Sequence, residues 1–341
     1  MIASYNYRSL DFISVVAPVY NEEPETLAEF VRRTSDALRG ITPRFELLLI
    51  DDGSRNDAWA SISALALRFP YVRGIRFTRN FGQHTAISAG LDHAEGDMVI
   101  VMDSDLQDRP EVIPDLYAKA KQGHGVVFVN RQRRPEGPIY LLAARVFYYV
   151  LSLLAGQSYD RLQANYSIIS REIVLAFRQV PDRDKFYGGT LRWLGYDIAA
   201  IDVEHGTRFG GRTSYNFRGR LRFAWRLIIG HSTRLLYLAT ALGFIMAVGS
   251  LIMGTLVIVD KLRYPDLPVA GWPSVITAVF FAAGMTNIML GLVGAYLGEL
   301  FNWSKGRPRY VIGQETPQSI SPSTDLREIQ RDRQDIVAQR N

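Results

Sequence analysis

Hydrophobic runs of similar length alternate with more polar stretches over residues 12–130. Five of these runs are apolar and rich in β-branched residues, which is typical of buried strands, and they fall at 12–20, 45–54, 72–77, 98–105 and 125–130. The stretches between them have the length and polarity of helices, at about 25–39, 56–69, 84–94 and 111–122. This alternation predicts an α/β domain with a mostly parallel sheet covered on both faces. Such sheets bind ligands beyond the carboxyl ends of their strands.

Two later runs are apolar over a greater length. Residues 235–259 contain no charge, and neither do residues 270–297, where the second helix is expected over about 272–297. Each run is long enough to cross about 30 Å of hydrocarbon. A third apolar run, 138–158, carries Arg145 near its middle. Because a charge inside lipid is costly, this run is interpreted as an interfacial helix lying on the membrane.

The net charge of +5 is unevenly distributed. Residues 215–234 contain five arginines and no acid, and three cations follow the second long run between 305 and 309. The positive-inside rule therefore predicts an integral inner (plasma) membrane protein with the large domain and both termini in the cytosol. The N-terminus lacks the apolar segment of a secretory signal. The absence of cysteine excludes disulfides and cysteine-bound metal centres.

A polar cluster with three acids lies at the end of the fourth predicted strand: Asp103, Ser104, Asp105, Gln107 and Asp108. Two carboxylates one residue apart at a strand end offer oxygen ligands to a hard cation such as Mg²⁺ or Mn²⁺. A cation held there can bridge a diphosphate and stabilise it as a leaving group.

Two further polar motifs follow the first and second strands, P-V-Y-N-E at 18–22 and D-D-G-S at 51–54. An aromatic ring there can stack on a base, and a carboxylate can accept from a base N–H or a ribose hydroxyl. Taken singly, these residues equally fit turns and helix caps.

In this order, the motifs V-A-P-V-Y-N-E-E, I-D-D-G-S, the stretch 79–97 and M-D-S-D-L-Q-D resemble the GT-A fold glycosyltransferases of family 2. The segments 186–196 (F-Y-G-G-T-L-R-W-L-G-Y) and 205–215 (H-G-T-R-F-G-G-R-T-S-Y) resemble those of its polyprenyl-phosphate glycosyltransferases, the dolichol-phosphate mannose synthases and their bacterial relatives. The resemblance covers about residues 12–310. It implies an enzyme with a GT-A catalytic domain and a C-terminal transmembrane hairpin.

The resemblance also implies a role for each matching residue. Nucleotide contacts are expected from Pro18, Tyr20, Glu22 and Asp52. The metal and diphosphate site is expected at Asp103, Asp105 and Gln107, with Arg131 on the phosphates. The phosphate of the lipid acceptor is expected to meet Arg145, Arg208 and Ser214, and an arginine fork suits phosphate oxygens.

The implied reaction moves a sugar from a nucleotide diphosphate-sugar, UDP-linked before GDP-linked, to undecaprenyl or dolichyl phosphate. It is expected to be a metal-dependent, inverting single displacement at the cytosolic face, and similarity to bacterial relatives suggests a homotetramer. Two positions depart from the family pattern: Asn165 stands where many relatives have an acid, and the family's Ser-Lys-Tyr is Thr-Ser-Tyr at 213–215.

The chain is accordingly divided into four parts. These are a GT-A domain at 1–214 that includes the interfacial helix, a basic juxtamembrane helix at 215–234, two transmembrane helices within 235–300, and a cytosolic tail at 301–341. The polar tail after Gln314 is expected to be loose or to form a short solvated helix.

Two other functions stay open. A processive polysaccharide synthase shares the fold but carries Q-x-x-R-W, of which only Arg192 and Trp193 are present here. A non-catalytic membrane scaffold would be expected to lose the acids at 103 and 105. The arginine-rich run at 218–226 precedes a predicted span, so anionic lipid is the expected partner and nucleic acid is not.

Overall fold

A computed structural model describes residues 11–131, 163–182, 185–203, 234–263 and 271–317. The described residues before 204 and after 307 form one compact unit, and those from 234 to 307 form a second. The predicted interfacial helix at 138–158, most of the basic segment at 215–234, and Arg145, Arg208 and Ser214 lie outside the described residues. The domain boundaries drawn from the sequence stay predictions.

The first unit is built on an eight-stranded sheet in the order β7-β5-β6-β4-β1-β2-β3-β8. β1 pairs in parallel with β2 and β4, β2 with β3, and β5 with β7. All five predicted strands are present. The strands are β1 (Ile13–Val19), β2 (Phe45–Asp51), β3 (Val72–Phe77), β4 (Met98–Val101), β5 (Val126–Arg131), β6 (Gln163–Ser170), β7 (Ile198–Val203) and β8 (Ile312–Glu315).

Six described α-helices accompany the sheet, and the four predicted ones are among them: α1 (Pro24–Arg39), α2 (Ala58–Arg68), α3 (Gln83–His93), α4 (Ile113–Ala120), α5 (Arg171–Gln179) and α6 (Tyr187–Trp193). Alternate residues of the strands enter two separate apolar clusters, one on each face. In β1, Val15 lies in one cluster and Val16 in the other. Both faces of the sheet are therefore buried, which explains the continuous apolar runs.

β6 departs from the expected parallel order. It lies between β4 and β5 and runs antiparallel to both, with Val101 opposite Ser167 and Asn130 opposite Gln163. Its sequence, Q-A-N-Y-S-I-I-S, has only two consecutive aliphatic residues and did not indicate a strand. Because β6 is antiparallel, its first residues lie at the same edge as the last residues of β4 and β5.

β8 corrects the expectation of a loose tail after Gln314 only for its first residues, because the tail beyond residue 317 lies outside the described residues. Residues 312–315 pair antiparallel with β3 at the edge of the sheet. Thr316 extends the contact, because its N–H donates to the carbonyl of Gly74 at 3.0 Å and its hydroxyl accepts from the N–H of Gly74 at 2.9 Å. Just before β8, the ring of Tyr310 stacks on Phe77 with 5.0 Å between centroids. The chain after the second long helix therefore completes the sheet.

The second unit contains two long helices, α7 (Arg234–Arg263) and α8 (Trp272–Ser304). Within them, Arg234–Asp260 and Val275–Phe301 are 27 residues each and are apolar enough to cross a membrane. At 1.5 Å per residue, each is about 40 Å long. Their large apolar side chains, such as Phe244 and Phe280, are exposed, which fits lipid contact better than contact with water.

Candidate active site

The polar motifs meet at one edge of the sheet, beyond the carboxyl ends of β1, β2 and β4. The register pairs Pro18 with Ile50 and Val16 with Val101, so the loops that follow these strands start side by side. The hydroxyl of buried Ser104 donates to the carbonyl of Pro18 at 2.8 Å. This bond joins the loop after β4 to the end of β1.

The loop after β1 is fastened to the loop after β2. The N–H of Asn21 donates to the Ser54 hydroxyl at 2.9 Å, and its side-chain oxygen accepts from the N–H of Arg55 at 2.8 Å. Asn21 has a φ of 57°, a left-handed conformation that asparagine tolerates better than most residues. The loop leaves Tyr20 44% exposed, and Glu22, two residues further along, is half-buried.

Asp52 holds the chain that leads into α3. Its two carboxylate oxygens accept from the backbone N–H groups of Phe81 and Gly82 at 2.6 and 2.9 Å. The side chain is buried, and burial raises its pKa to about 6 against the opposing effect of these hydrogen bonds and of Arg79. The nearby charge of Asp51 raises the pKa further. The nucleotide contact expected from Asp52 stays a prediction, and in the structure its carboxylate holds the loop before α3.

Gly53 lets the loop after β2 approach the loop before α3. It has a φ of +68°, and a Cβ at this position would lie 2.4 Å from the carbonyl carbon of Arg79. Only glycine fits such a close backbone contact in the left-handed region. The guanidinium of Arg79 in turn lies 3.9 Å from the centroid of the Phe81 ring.

The loop after β4 alternates between buried and half-buried residues. Ser104, Leu106 and Asp108 are buried, whereas Asp103, Asp105 and Gln107 are half-buried, so these last three share a partly accessible side. A carboxylate oxygen of Asp105 accepts from the N–H of Gln107 at 3.0 Å, and one of Asp108 accepts from the N–H of Asp103 at 3.0 Å. Leu106 has a φ of 62°, and strain of this kind is often concentrated at functional sites.

These three residues fit part of a divalent cation site. No group of three or more His, Cys, Asp or Glu side chains with metal-binding geometry occurs in the described part of the chain. A Mg²⁺ or Mn²⁺ ion bound with a nucleotide, however, commonly takes only one or two carboxylates and completes its shell with phosphate oxygens and water. Asp103 and Asp105, with the amide oxygen of Gln107, supply that smaller donor set.

A residue that the sequence analysis did not single out contacts this set. The side-chain amide of Gln83, the first residue of α3, donates to Oδ1 of Asp103 at 2.7 Å. The two residues are 20 positions apart, and no periodicity or motif indicates their contact. Ser104 was likewise seen only as a spacer between the two acids.

For the remaining predicted residues, the structure gives either the position of the backbone alone or no position, because some lie outside the described residues. Arg131 ends β5, which is parallel to β4, so its backbone lies at the same edge as the acids. Asn165 lies near the start of β6, two residues before the partner of Val101. Arg145, Arg208 and Ser214, predicted for the acceptor phosphate, are outside the described residues. Their roles stay predictions.

Comparison with known proteins agrees with this architecture. Residues 14–168 match the family described as Glycosyl transferase family 2. A bactoprenol glucosyl transferase of Shigella phage SfV is 34% identical over 89% of this chain and 98% of its own length. A prophage bactoprenol glucosyl transferase homolog of Escherichia coli (strain K12) is 33% identical over 88% of this chain and 98% of its own.

Among solved structures, this chain is similar to a glucosyl-3-phosphoglycerate synthase from Mycobacterium tuberculosis. That structure is a complex with Mn²⁺, uridine diphosphate and glucosyl-3-phosphoglycerate. The similarity covers 64% of this chain and 78% of that chain, at 22% identity and a TM-score of 0.47.

The chain is a glycosyltransferase of family 2, with the GT-A fold that its motifs predicted. Within that family it belongs to the polyprenyl-phosphate glycosyltransferases, the group that includes the bactoprenol glucosyl transferases. Both the family and the fold class expected from the sequence are thereby confirmed.

Proposed function

We propose that this enzyme transfers a sugar from a nucleotide diphosphate-sugar to the phosphate of a polyprenyl lipid. The observation that carries the proposal is the meeting of the loops after β1, β2 and β4 at one edge of the sheet in a chain of this family. The relatives are named for glucosyl transfer to bactoprenol, so UDP-glucose with undecaprenyl phosphate is the first pair to test. GDP-sugars come second.

The described residues suggest how the donor is held. The ring of the exposed Tyr20 can stack on the base, and Glu22, two residues further along, can accept from ribose or base. Asp103, Asp105 and Gln107 would hold Mg²⁺ or Mn²⁺ against the diphosphate, and the bound cation would neutralise the charge that develops on that leaving group. Arg131 is proposed to contact the same phosphates.

The reaction is proposed to be a single displacement with inversion. An oxygen of the lipid phosphate forms a bond to the anomeric carbon as the bond from that carbon to the diphosphate breaks, and the nucleoside diphosphate leaves with the electron pair. A phosphate monoester carries close to two negative charges near neutral pH, since its second pKa is about 6. The nucleophile therefore needs no strong general base from the protein. Arg145, Arg208 and Ser214 are proposed to hold it.

The two long helices are proposed to span the membrane, with the GT-A domain at the cytosolic face. Support comes from their 27-residue apolar lengths and from the cations that flank them, five arginines within 218–234 and three cations within 305–309. Such an anchor would keep the catalytic domain close to a lipid acceptor, whose phosphate stays at the membrane surface.

Transfer can be tested with the full-length protein in detergent. It is incubated with undecaprenyl phosphate, Mg²⁺ or Mn²⁺, and separate UDP- and GDP-sugars, and the lipid product is identified by mass spectrometry. Asp105→Asn keeps an oxygen for the N–H of Gln107 but removes the charge, so it is expected to lower the rate by about 100-fold or more. Asp115→Asn, on the exposed side of α4, is the matched control.

A lipid carrying one sugar, formed by the wild type and the control but not by Asp105→Asn, would support the proposal. Formation of a long polymer would instead favour a processive synthase. Wild-type protein that forms no glycolipid from any donor of the panel would contradict lipid-phosphate transfer.

A further inference from the structure

Asp103 is oriented from outside its own loop. Its Oδ1 accepts a 2.7 Å hydrogen bond from the side-chain amide of Gln83, and its backbone N–H donates to the carboxylate of Asp108. The backbone is thus held within the loop, whereas the carboxylate is held from α3. A carboxylate fixed through one oxygen keeps the other oxygen in a defined direction.

The position of Gln83 is itself fixed from the loop after β2. Gln83 is the first residue of α3, and the two residues before it donate their N–H groups to the two oxygens of Asp52. Gly82 has a φ of +102°, so the chain turns sharply into the helix there. A continuous series of contacts therefore leads from Asp52 through the start of α3 to Asp103.

The group that donates this hydrogen bond, the side-chain amide of Gln83, is uncharged. The contact can therefore orient the carboxylate of Asp103 without forming an ion pair with it. An amide N–H holds a carboxylate without cancelling its charge. A lysine or arginine at the same distance would neutralise that charge and compete with the cation. Hydrogen bonds of this kind to metal ligands fix their orientation and increase metal affinity.

We propose that Gln83 is a positioning residue of the donor site, which orients the carboxylate of Asp103 for the divalent cation that binds with the nucleotide. The inference rests on the proposed function, since it takes the donor to be a nucleotide diphosphate bound with a metal. Gln83 acts through Asp103 and does not take part in bond making.

The test measures Mn²⁺ binding by electron paramagnetic resonance in full-length protein in detergent, with UDP present and no lipid acceptor. Gln83→Met keeps the length of the side chain and removes the donor. We expect Mn²⁺ to bind about tenfold more weakly. Loss of a residue that hydrogen-bonds to a metal ligand typically weakens metal binding by about 10- to 100-fold, and the smaller value is expected here because Gln83 is exposed. Gln122→Met, an exposed glutamine beyond α4, is the matched control and is expected to bind as the wild type does.

A second variant separates positioning from a general effect on the fold. In an Asp103→Ala background the orienting role has no target, because alanine has no oxygen to accept from the Gln83 amide. Adding Gln83→Met to that background is therefore expected to change Mn²⁺ affinity by less than about twofold. The thermal unfolding midpoint of Gln83→Met is expected to match that of Gln122→Met.

Equal Mn²⁺ affinity of Gln83→Met and the wild type would overturn the inference. An equally large loss in the Asp103→Ala background would also overturn it, as would wild-type protein that binds no Mn²⁺ with UDP. Because the assay contains no acceptor, its result is independent of lipid glycosylation. Failure of transfer with intact, Gln83-dependent Mn²⁺ binding would contradict the proposed acceptor alone.

Discussion

Replacing Asp52 by asparagine is expected to disorganise the entry into α3. The carboxylate accepts from two backbone N–H groups, one on each oxygen. An amide of the same shape has only one oxygen, so one N–H would keep its acceptor and the other would face the NH₂ group. The substitution therefore changes hydrogen bonding with almost no change in volume.

The size of the effect follows from the bond that is lost. A hydrogen bond to a charged group contributes about 1.5–3 kcal/mol. If about 2 kcal/mol of this is needed to hold the loop in its active geometry, kcat/KM for the nucleotide-sugar falls about 30-fold near neutral pH. The same reasoning applies to protonated Asp52, which also offers one acceptor and one donor.

The wild type should therefore lose activity as Asp52 takes up a proton. Burial raises the pKa of this carboxyl to about 6. At one pH unit below that value about a tenth of the molecules keep the carboxylate, so the ratio of wild-type to Asp52→Asn activity is expected to fall from about 30 to about 4. Titration of the substrates affects both proteins equally and cancels in the ratio.

The contribution of Asp52 to the free energy of unfolding should increase as the pH falls, whereas the activity decreases. The pKa of Asp52 is raised from an ordinary value of 3.8 to about 6 in the folded protein, so between these values the folded state binds more protons than the unfolded state. The contribution of this group to the free energy of unfolding is therefore greatest below about pH 4 and is lost as the pH rises through about 6. The carboxylate that orders the loop thus costs stability near neutral pH.

Initial rates of both proteins across this pH range provide the assay. Asp36→Asn, at an exposed site on α1, is the control and is expected to show a ratio near one throughout. A wild-type to Asp52→Asn ratio that stays constant between about pH 5 and pH 7.5 would refute the link between the Asp52 charge and the loop.

Two further substitutions test the packing of the site. Gly53→Ala forces a Cβ against the backbone of Arg79 at a φ of +68°, and it is expected to lower the free energy of unfolding by more than about 2 kcal/mol, since left-handed strain alone costs about 1–2 kcal/mol. Tyr187→Phe removes the 2.7 Å bond between the buried hydroxyls of Tyr187 and Ser167, at a cost of about 1 kcal/mol. Chemical denaturation in detergent measures both.

Each of these changes has a control in the same fold. Gly123 also has a positive φ, +104°, but a Cβ there meets nothing within 4 Å, so Gly123→Ala should cost clearly less than Gly53→Ala. The Tyr71 hydroxyl only accepts a 3.4 Å bond from exposed Arg39, so Tyr71→Phe is expected to stay within about 0.5 kcal/mol of the wild type. Equal losses within either pair would contradict the corresponding argument.

Periodicity was enough to predict β1 to β5, but β7, the edge strand that pairs in parallel with β5, was missed. β1 to β5 are continuous apolar runs because both faces of the sheet are covered, and their ends coincide with turn residues. β6 and β8 were missed for a physical reason. Polar residues interrupt β6, and β8 has four residues of which three are exposed, so neither has a hydrophobic pattern of its own. Both are strands because a neighbouring strand offers them hydrogen bonds.

The candidate site was predicted as motifs but not as contacts. The sequence indicated that Asp103 and Asp105 follow a buried strand, and the fold brings them beside the loops after β1 and β2. The bond from Gln83 to Asp103 and that from Ser104 to Pro18 depend on strand register and on the start of α3. Local propensity does not encode such distances, because they arise only when distant segments pack together.

The place of β8 in the sheet has a consequence for biosynthesis. The edge of β3 is covered by β8, and Phe77 pairs with Ile312. Ile312 is synthesised 235 residues after Phe77 (312 − 77). At about 5–20 residues per second, this edge waits on the order of 10–50 s for its partner. Both long apolar helices are synthesised in that interval. Insertion of the proposed membrane anchor can therefore begin before β8 completes the catalytic sheet.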